Sequence, residues 1–483
     1  MRYLVAIRAL PWILTSLIQR LVRDPWRTLA ALSRRDLLPT PQRLRIWLEL
    51  RSNRAEQISV LPRSPNLSKV STSINGNPDT VLHFVTNSLP YTNAGYTIRT
   101  HQIIEAQLLA GISASAVTRY GYPITAGNVL AGNSTKVRGF NSDQEITYHH
   151  LQPTGLVKFE NTEPAIVAAE KLVRKLKPVV LHAATDFMNG ELAHAVAQRT
   201  GLPFVYEVRG FLEDSWLAKQ KDHPVHSSRY LDARNRETQV MLKADAITTL
   251  SLTMKLEMIE RGIDPNKIHL MPNAVPENLL STEMDSTQAR KLLGLPQLPT
   301  FGIASTLHEF ENTQMLIQVL ELLQARGKIA QLLIVGDGPQ LEQLKKLAKS
   351  SALRERIHIV GRKDFDQVHN YFLSMDVFCL PRSLSRVTSL VTPLKPLEAM
   401  ALGRVVVGSD LPAIQELIIN GETGLLAPPG DASAFTTAVE RVLYDQGLRS
   451  EISIAAKQWV SQNRTWPRIA LQYRDLYARL TQR

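Results

Sequence analysis

The sequence predicts an α/β protein with two Rossmann-like, doubly wound domains and a helical N-terminal arm. Short apolar runs typical of buried strands alternate with segments of helical periodicity from residue 80 onward. This alternation occurs twice, on either side of a polar, proline-containing stretch at 277–299. The first 54 residues stand apart, because they hold eleven arginines, no lysine and three acidic residues, a charge of +8 out of +12 for the chain.

The arm at 1–58 has a stripe of leucines at helical spacing and arginines largely on another side, and a Ser-, Pro- and Asn-rich linker follows at 59–79. One interpretation is an in-plane helix that binds an anionic membrane surface through residues 1–54. The other is a helical arm that packs on the body of the protein with solvated arginines. We expect no signal peptide, because Arg8 interrupts the apolar stretch and no small-residue cleavage site follows. We expect no transmembrane helix either, because one needs about 20 apolar residues.

The two alternations predict a first domain at 80–276, a junction at 277–299 and a second domain at 300–465. A C-terminal helix at 466–483 is expected to cross back onto the first domain. The predicted strands are 81–85, 179–181, 203–208, 246–250, 300–304, 331–335, 357–360, 377–380 and 405–407. The predicted helices are 97–110, 190–199, 253–261, 313–325, a segment ending near 350, 433–443 and 448–480.

Several chemistries find no support in the motifs. Cys379 is the one cysteine and lies in an apolar run, so we expect a buried side chain and no internal disulfide. Asp364 and Asp366 have the spacing of a metal–diphosphate site, but Asp364 precedes a helical run and fits an N-cap. No Gly-x-Gly-x-x-Gly follows the first strand, which weakens the case for a nicotinamide or flavin enzyme. We therefore predict no cofactor, no metal and no nucleic-acid partner.

Ligands of open parallel sheets bind beyond the carboxyl ends of the strands, so the loops there are the candidate sites. In the first domain, Gly95 precedes a helix whose backbone N–H groups could take a phosphate, although a turn glycine fits as well. His182 is predicted at a strand end as a catalytic or sugar-binding group, and a structural histidine remains the alternative. Asn189 nearby, and Glu207 and Arg209 at the next strand exit, are predicted to recognise an acceptor, with solvation at the surface as the alternative for the charged pair.

The segment with the most candidate site residues lies in the second domain. Arg382 and Arg386 follow the strand at 377–380, and Lys395 and Glu398 are three residues apart, one helical turn. Fixed cations there can stabilise the charge of a departing diphosphate, and a carboxylate can accept two ribose hydroxyls. A surface ion-pair cluster is the alternative, but the flanking sequence is apolar.

These motifs resemble the retaining family 4 glycosyltransferases, which have the GT-B fold of two Rossmann-like domains facing across a cleft. The match is strongest at 393–401, and it is supported at 335–339, 361–362 and 271–275. Residues 205–211 and 386–388 also resemble bacterial members that build surface polysaccharides. The resemblance covers the chain from about residue 80 to its C-terminus.

The resemblance implies roles for individual residues. Lys395, Arg382 and Arg386 would neutralise the diphosphate, and the first domain, with His182 and Arg209, would hold the acceptor. Glu398 would hold the donor ribose, and the backbone near Arg362 would line the base pocket. The residues predicted on the donor side are Gly95, Arg362, Leu397, Glu398 and Glu311.

Three departures from the family pattern stand out. Leu390 occupies the position where the family often has a glutamate eight residues before the one matching Glu398. The stretch 305–312 carries acidic residues where many members place Arg and Lys. Arg382, Arg386 and Lys395 are therefore expected to neutralise more of the diphosphate charge. Ala184 stands where a second histidine often follows the one matching His182.

The sequence therefore predicts a retaining, metal-independent glycosyltransferase that uses a nucleotide-diphosphate sugar and a hydroxyl acceptor, such as a lipid-linked or surface-polysaccharide precursor. We expect it in the cytoplasm, peripheral on the inner face of the membrane. The alternatives are a non-catalytic GT-B-like protein at a membrane and a nucleotide-sugar epimerase. Donor base, sugar, linkage and oligomeric state are not predicted.

Overall fold

The computed structural model describes residues 79–128, 131–152, 162–220 and 224–482. The predicted arm and nearly all of the predicted linker lie outside these ranges. The described residues form two compact units. One consists of the residues up to Glu207 together with Gln239–Ala246 and Leu476–Arg483, and the other consists of Val208–Thr238 and Ile247–Asp475. The domain boundaries proposed from the sequence remain predictions.

The first sheet has eight strands in the order β3-β4-β2-β1-β5-β6-β7-β8. Its strands are β1 Thr80–Val85, β2 Ser113–Thr118, β3 Ser134–Arg138, β4 Glu145–His150, β5 Val180–Ala184, β6 Phe204–Val208, β7 Ala246–Thr249 and β8 Ile268–Leu270. The strand β3 runs antiparallel to β4, whereas β1, β2, β4, β5 and β6 run parallel. The accompanying helices are α1 Gly95–Leu109, α2 Glu163–Leu176, α3 Phe187–Thr200, α4 Leu212–Leu217, α5 Ser228–Lys243 and α6 Leu252–Glu260.

The second sheet has six parallel strands in the order β11-β10-β9-β12-β13-β14. Its strands are β9 Thr300–Ala304, β10 Gln331–Val335, β11 Ile357–Ile359, β12 Val377–Leu380, β13 Val405–Ser409 and β14 Leu425–Ala427. The helices from residue 286 onward are α7 Ser286–Leu292, α8 Met315–Ala325, α9 Leu341–Ser350, α10 Phe365–Ser374, α11 Arg386–Leu390, α12 Lys395–Ala401, α13 Pro412–Gln415, α14 Ala432–Tyr444, α15 Gln446–Asn463 and α16 Trp466–Thr481.

Helices on both faces explain why the central strands are apolar throughout. Every residue of β5, β6, β9 and β12 is buried, as expected for strands of a parallel sheet covered on two sides. Cys379 of β12 is one of them, and burial raises the pKa of its thiol, in agreement with the prediction of a buried side chain. The predicted α/β architecture with two Rossmann-like sheets is therefore confirmed.

The glycines of the 335–339 motif allow two loops of the second sheet to approach closely. Gly336 has a φ of +138°, and a Cβ atom there would lie 1.9 Å from the carbonyl oxygen of Ser305. A Cβ atom on Gly338 would lie 2.7 Å from the backbone nitrogen of Leu307. Only glycine leaves room for this contact, so the motif shapes the carboxyl edge of the sheet where β9 and β10 end.

Each sheet has a point where its strand order reverses. The first strand of the first sheet, β1, has β2 on one side and β5 on the other, and the first strand of the second sheet, β9, has β10 on one side and β12 on the other. Loops diverge at such a switch point and leave a crevice in which open α/β sheets bind ligands. The segments that follow β1, β5, β9 and β12 therefore hold the candidate site residues.

Candidate active site

An ion pair joins the two loops that diverge at the switch point of the second sheet. Arg382 follows β12, and Glu311 lies in the loop that follows β9. The Nη2 and Nε atoms of Arg382 donate to the two carboxylate oxygens of Glu311 at 2.7 and 3.2 Å, and both side chains are buried. A two-pronged arginine–carboxylate pair fixes geometry as well as charge. Arg382 therefore links the two loops at the switch point, and its charge is already balanced by Glu311.

Lys395 and Glu398 form the pair that their spacing predicts. Both lie in the first turn of α12, and Nζ of Lys395 donates to Oε2 of Glu398 at 2.8 Å. The side chain of Lys395 is 30% exposed, whereas that of Glu398 is 2% exposed. Lys395 Nζ also lies 5.5 Å from the ring centroid of Phe372, and Nε2 of His369 is 3.9 Å from Glu398 Oε2. The pair thus presents a cation at the surface over a buried carboxylate.

Arg386 is held by two carboxylates. It is the first residue of α11, and its Nε and Nη2 atoms each lie 2.9 Å from a carboxylate oxygen, of Asp214 and Glu257 respectively. These acids belong to α4 and α6, which follow β6 and β7. Glu257 is not recognisable as a site residue from the sequence, because 129 residues separate it from Arg386 and nothing in its local pattern marks it.

Two further predicted donor-side residues have clear positions. The side chain of Leu397 is fully buried in the core that also contains Phe378, so it could meet a ligand only through its main chain. Arg362 is exposed just after β11, next to Gly361 with a φ of +70°. A side chain there has access to solvent, as a base-pocket residue would need.

At the switch point of the first sheet, Asn189 ties together the segments that follow β1 and β5. Its Nδ2 atom donates to Oγ1 of Thr86 at 2.8 Å and to the carbonyl oxygen of Ala184 at 3.0 Å. Asp186 caps the same helix, α3, by accepting from backbone nitrogens, and burial raises the pKa of its carboxyl. Gly95 begins α1, and a Cβ atom there would meet no heavy atom within 4 Å. The start of α1 is therefore open.

His182 lies in the middle of β5, not at the strand end that the sequence predicted. Its side chain is fully buried, its Nδ1 atom lies 2.7 Å from the hydroxyl of Tyr477, and its ring centroid lies 4.6 Å from that of His83. Gln107 in turn donates to the hydroxyl of Tyr477 at 3.1 Å. These are the surroundings of a structural histidine within the sheet, so we assign it no catalytic step.

Glu207 and Arg209, predicted to recognise an acceptor, have different surroundings. Glu207 is fully buried at the end of β6, and its Oε1 atom accepts from Nε and Nη2 of Arg99 at 3.1 and 2.9 Å. Its carboxylate therefore anchors the first turns of α1 to β6. Arg209 is partly exposed just beyond β6, as a ligand-binding side chain requires.

The described residues contain neither a candidate metal site nor a helix suited to cross a membrane. Asp364 occupies the N-cap position of α10, as predicted, but its side chain makes no capping hydrogen bond. Within the described residues, no group of three or more His, Cys, Asp or Glu side chains is arranged to hold a metal ion. Nor does any helix in those ranges combine the length and the apolar character that crossing a membrane requires.

Two family models match consecutive parts of the chain. Residues 94–274 match the glycosyl transferase 4-like domain, and residues 298–445 match the glycosyl transferases group 1. The second match contains Arg382, Arg386 and the Lys395–Glu398 pair, and the first contains Gly95 and Arg209.

Three of the curated relatives have names that end in glycosyltransferase activities. The α-D-kanosaminyltransferase of Streptomyces kanamyceticus is 25% identical over 47% of this chain and 62% of its own length. A GDP-mannose-dependent α-(1-6)-phosphatidylinositol monomannoside mannosyltransferase of Mycolicibacterium smegmatis is 26% identical over 52% of this chain and 66% of its own. The phosphatidyl-myo-inositol mannosyltransferase of Mycobacterium leprae is 35% identical over 48% of this chain and 58% of its own. The chain thus matches about three fifths of the length of these relatives.

Solved structures share the fold. Sucrose-phosphate synthase from Thermosynechococcus elongatus superposes with a TM-score of 0.67 at 20% identity, over 83% of this chain and 99% of that one. Anabaena HepE in complex with UDP-glucose gives 0.62 at 15% identity, over 82% and 99%. The chain therefore has the GT-B fold and combines a glycosyltransferase 4-like domain with a group 1 glycosyl transferase domain, the organisation of a family 4-like glycosyltransferase.

Proposed function

We propose that this protein is a retaining glycosyltransferase that moves a sugar from a nucleotide-diphosphate donor to a hydroxyl acceptor. The observation that carries the proposal is the Lys395–Glu398 pair, which opens α12 in the connection from β12 to β13. This connection leaves the carboxyl end of a strand that borders the switch point of the second sheet, where an α/β sheet offers its ligand crevice.

The pair has the chemistry that a nucleotide donor needs. The carboxylate of Glu398 has two oxygens, and one accepts from Lys395, so further acceptor capacity remains for the two hydroxyls of a ribose. The ammonium of Lys395 has three N–H donors and one is used by Glu398, so it can also meet the oxygens of a diphosphate. We therefore assign the ribose to Glu398 and the leaving diphosphate to Lys395.

In the proposed reaction, the bond between the anomeric carbon and the donor phosphate breaks through an oxocarbenium-like state. Lys395 stabilises the negative charge that develops on the diphosphate. The diphosphate then takes the proton of the incoming hydroxyl, whose oxygen forms the new bond to the anomeric carbon on the same face of the sugar. The configuration at the anomeric carbon is thereby retained, and the chain's own cation supplies the charge stabilisation without a metal. Arg382 supports this site indirectly, through its buried pair with Glu311.

A lipid-linked acceptor is the favoured class. Two of the similar proteins bear names that include phosphatidylinositol substrates. The excess of arginine in residues 1–54 would attract the chain to an anionic membrane surface, which fits a peripheral place on the inner face of the cell membrane. Arg209 and the open helix start at Gly95 are the candidates for contacts with phosphate or sugar groups. A precursor of a surface polysaccharide meets these conditions.

The experiment measures sugar transfer and its stereochemistry, with a panel of nucleotide sugars and a lipid-linked acceptor extract. We expect Lys395→Ala to lower kcat by roughly a hundredfold, the usual cost of losing one charge-stabilising donor, and to change the acceptor KM little. Lys345→Ala is the matched control, because Lys345 pairs with Glu342 at the same 2.8 Å and the same three-residue spacing on an exposed face. Unchanged turnover in Lys395→Ala, or an inverted product, contradicts the proposal.

A further inference from the structure

The two acids that hold Arg386 are themselves fixed by other side chains. Asp214 is almost completely buried, and the hydroxyl of Tyr230 donates to its Oδ1 atom at 2.8 Å. Burial and this neighbouring carboxylate raise the pKa of Tyr230 to about 12. Glu257 accepts from Arg234 at 2.7 Å and from Arg261 at 2.9 Å. Both carboxylates therefore keep their places independently of Arg386.

Arg386 is the exposed member of this group. Its side chain is 41% exposed, against 1% for Asp214 and 7% for Glu257. An arginine that joins two buried acids acts as an anchor for the helix that carries it, and here that helix is α11. Its charge is also balanced locally, because the cluster sets Arg386, Arg234 and Arg261 against Asp214, Glu257 and Glu213, the last of which pairs with Arg261 at 2.7 Å. This balance lowers the attraction of Arg386 for a second anion.

The rest of this segment is held as firmly. The carbonyl oxygen of Leu390 accepts from Oγ of Ser251 and Oγ1 of Thr253, each at 2.9 Å. The next two carbonyl oxygens accept from Nη1 of Arg382 at 3.3 Å and from Nδ2 of Asn273 at 2.9 Å. Three successive carbonyls are thus fixed just before Lys395, so the anchor at Arg386 and the position of Lys395 belong to one constrained stretch.

We propose that Asp214 and Glu257 are positioning residues, which act through Arg386 to hold α11 and the following loop in the arrangement that places Lys395. Arg386 is accordingly an anchor and not a ligand of the diphosphate. The inference rests on the proposed function, because the position of Lys395 matters only if Lys395 meets the donor. It adds two acids to the residues that govern donor use and reassigns one arginine.

The test compares Arg386→Ala, Asp214→Asn, Glu257→Gln and the double variant Arg386→Ala/Asp214→Asn for donor KM, kcat and thermal stability. We expect each single change to lower kcat/KM for the donor by roughly ten- to a hundredfold, since small displacements of a catalytic group are costly. The double variant should be no worse than its worse parent, because both changes release the same segment. Arg326→Ala, from the surface pair with Glu440, is the control.

If Arg386 were instead a ligand of the diphosphate, the variants would show different kinetics. If Arg386 bound the diphosphate, removing a competing carboxylate in Asp214→Asn would leave the donor KM unchanged or lower it. Wild-type kinetics in both Asp214→Asn and Glu257→Gln, with Arg386→Ala impaired, therefore overturn the inference. Absence of transfer by the wild-type protein would instead count against the proposed function.

Two milder variants keep the test decisive if the acid variants fold poorly. Tyr230→Phe removes one hydrogen bond from Asp214 without changing charge, and we expect a smaller loss of kcat/KM in the same direction. Arg386→Lys keeps the charge, but a single ammonium has no planar fork with which to join two carboxylates. An anchor predicts that Arg386→Lys resembles Arg386→Ala, whereas a charge ligand predicts substantial rescue by lysine.

Discussion

Glu311 gives a structural reason for one departure from the family pattern. The sequence has acidic residues after β9 where many members carry Arg and Lys, and this alone suggests a donor site that is short of positive charge. In the structure Glu311 pairs with Arg382 across the switch point, so the acid helps to fix the two loops there. The expectation that Arg382 carries extra diphosphate charge is therefore weakened, and Lys395 becomes the principal cation of the proposal.

The buried pair makes a prediction about stability. Glu311→Gln leaves the buried guanidinium of Arg382 without its counter-charge, and we expect a loss of about 3–5 kcal/mol in the free energy of unfolding. Urea denaturation measures it. Glu440→Gln is the control, because its partner Arg326 is more exposed and such pairs contribute about 1 kcal/mol or less. Equal losses in the two variants would contradict a structural role for the Arg382–Glu311 pair.

His150 predicts how stability depends on pH. Burial, with a smaller effect of neighbouring His149, lowers the pKa of its imidazole to about 4. Its Nδ1 and Nε2 atoms lie 3.0 and 2.9 Å from the hydroxyls of Thr118 and Thr135. An unfolded histidine titrates near 6.5, so between pH 6.5 and about 4 the unfolded state binds more protons and stability falls as pH falls.

The corresponding experiment follows the urea midpoint from pH 7 to pH 5. We expect His150→Gln to lose less stability than the wild type over this range, because it lacks this proton uptake on unfolding. His226→Gln, at an exposed position, should keep the wild-type slope. A slope in His150→Gln as steep as that of the wild type would remove His150 from the account.

At the scale of elements, the sequence predicts the buried parallel strands well. Strands β9, β10 and β12 have the predicted bounds, because burial on both faces selects continuous apolar runs that turns interrupt. Strands β2, β3 and β4 were not predicted. The run Ser134–Arg138 is polar at every position but one, and its partner β4 alternates buried and less buried residues, so neither gives the signal of a central strand.

The C-terminal helices show a second limit of pattern reading. The sequence predicts one helix over 448–480, whereas the structure has α15 and α16 with a break at Arg464 and Thr465. The break is tied by backbone bonds, since Val275 donates to the carbonyl of Arg464 and Trp466 donates to the carbonyl of Val275. Pro467 at the start of α16 is a local signal for this break.

The candidate site was predictable in part. The short-range relation between Lys395 and Glu398 follows from helical spacing and is present in the structure. Partners far apart in the chain were beyond local patterns: 71 residues separate Arg382 from Glu311, 172 separate Arg386 from Asp214, and 295 separate His182 from Tyr477. Only a folded sheet brings such residues together, which is why the sequence could name several members without their pairings.

At the scale of the whole molecule, the fold and the family models support one account. The GT-B architecture extends over about four fifths of the chain, and the two family models divide it in the same order as the two sheets. The arginine-rich arm precedes this part and lies outside the described residues, so its membrane role remains a proposal. The proposed activity depends on a nucleotide donor that contacts Glu398 and Lys395.

The most direct test of that claim is a calorimetric titration of the wild type and of Glu398→Gln. Each is titrated with the preferred nucleoside diphosphate and with its analogue lacking both ribose hydroxyls. We predict that the analogue binds the wild type at least about tenfold more weakly, since hydrogen bonds to a charged group are worth about 1.5–3 kcal/mol. In Glu398→Gln the analogue and the parent should bind almost equally. An undiminished analogue penalty in Glu398→Gln would contradict the account.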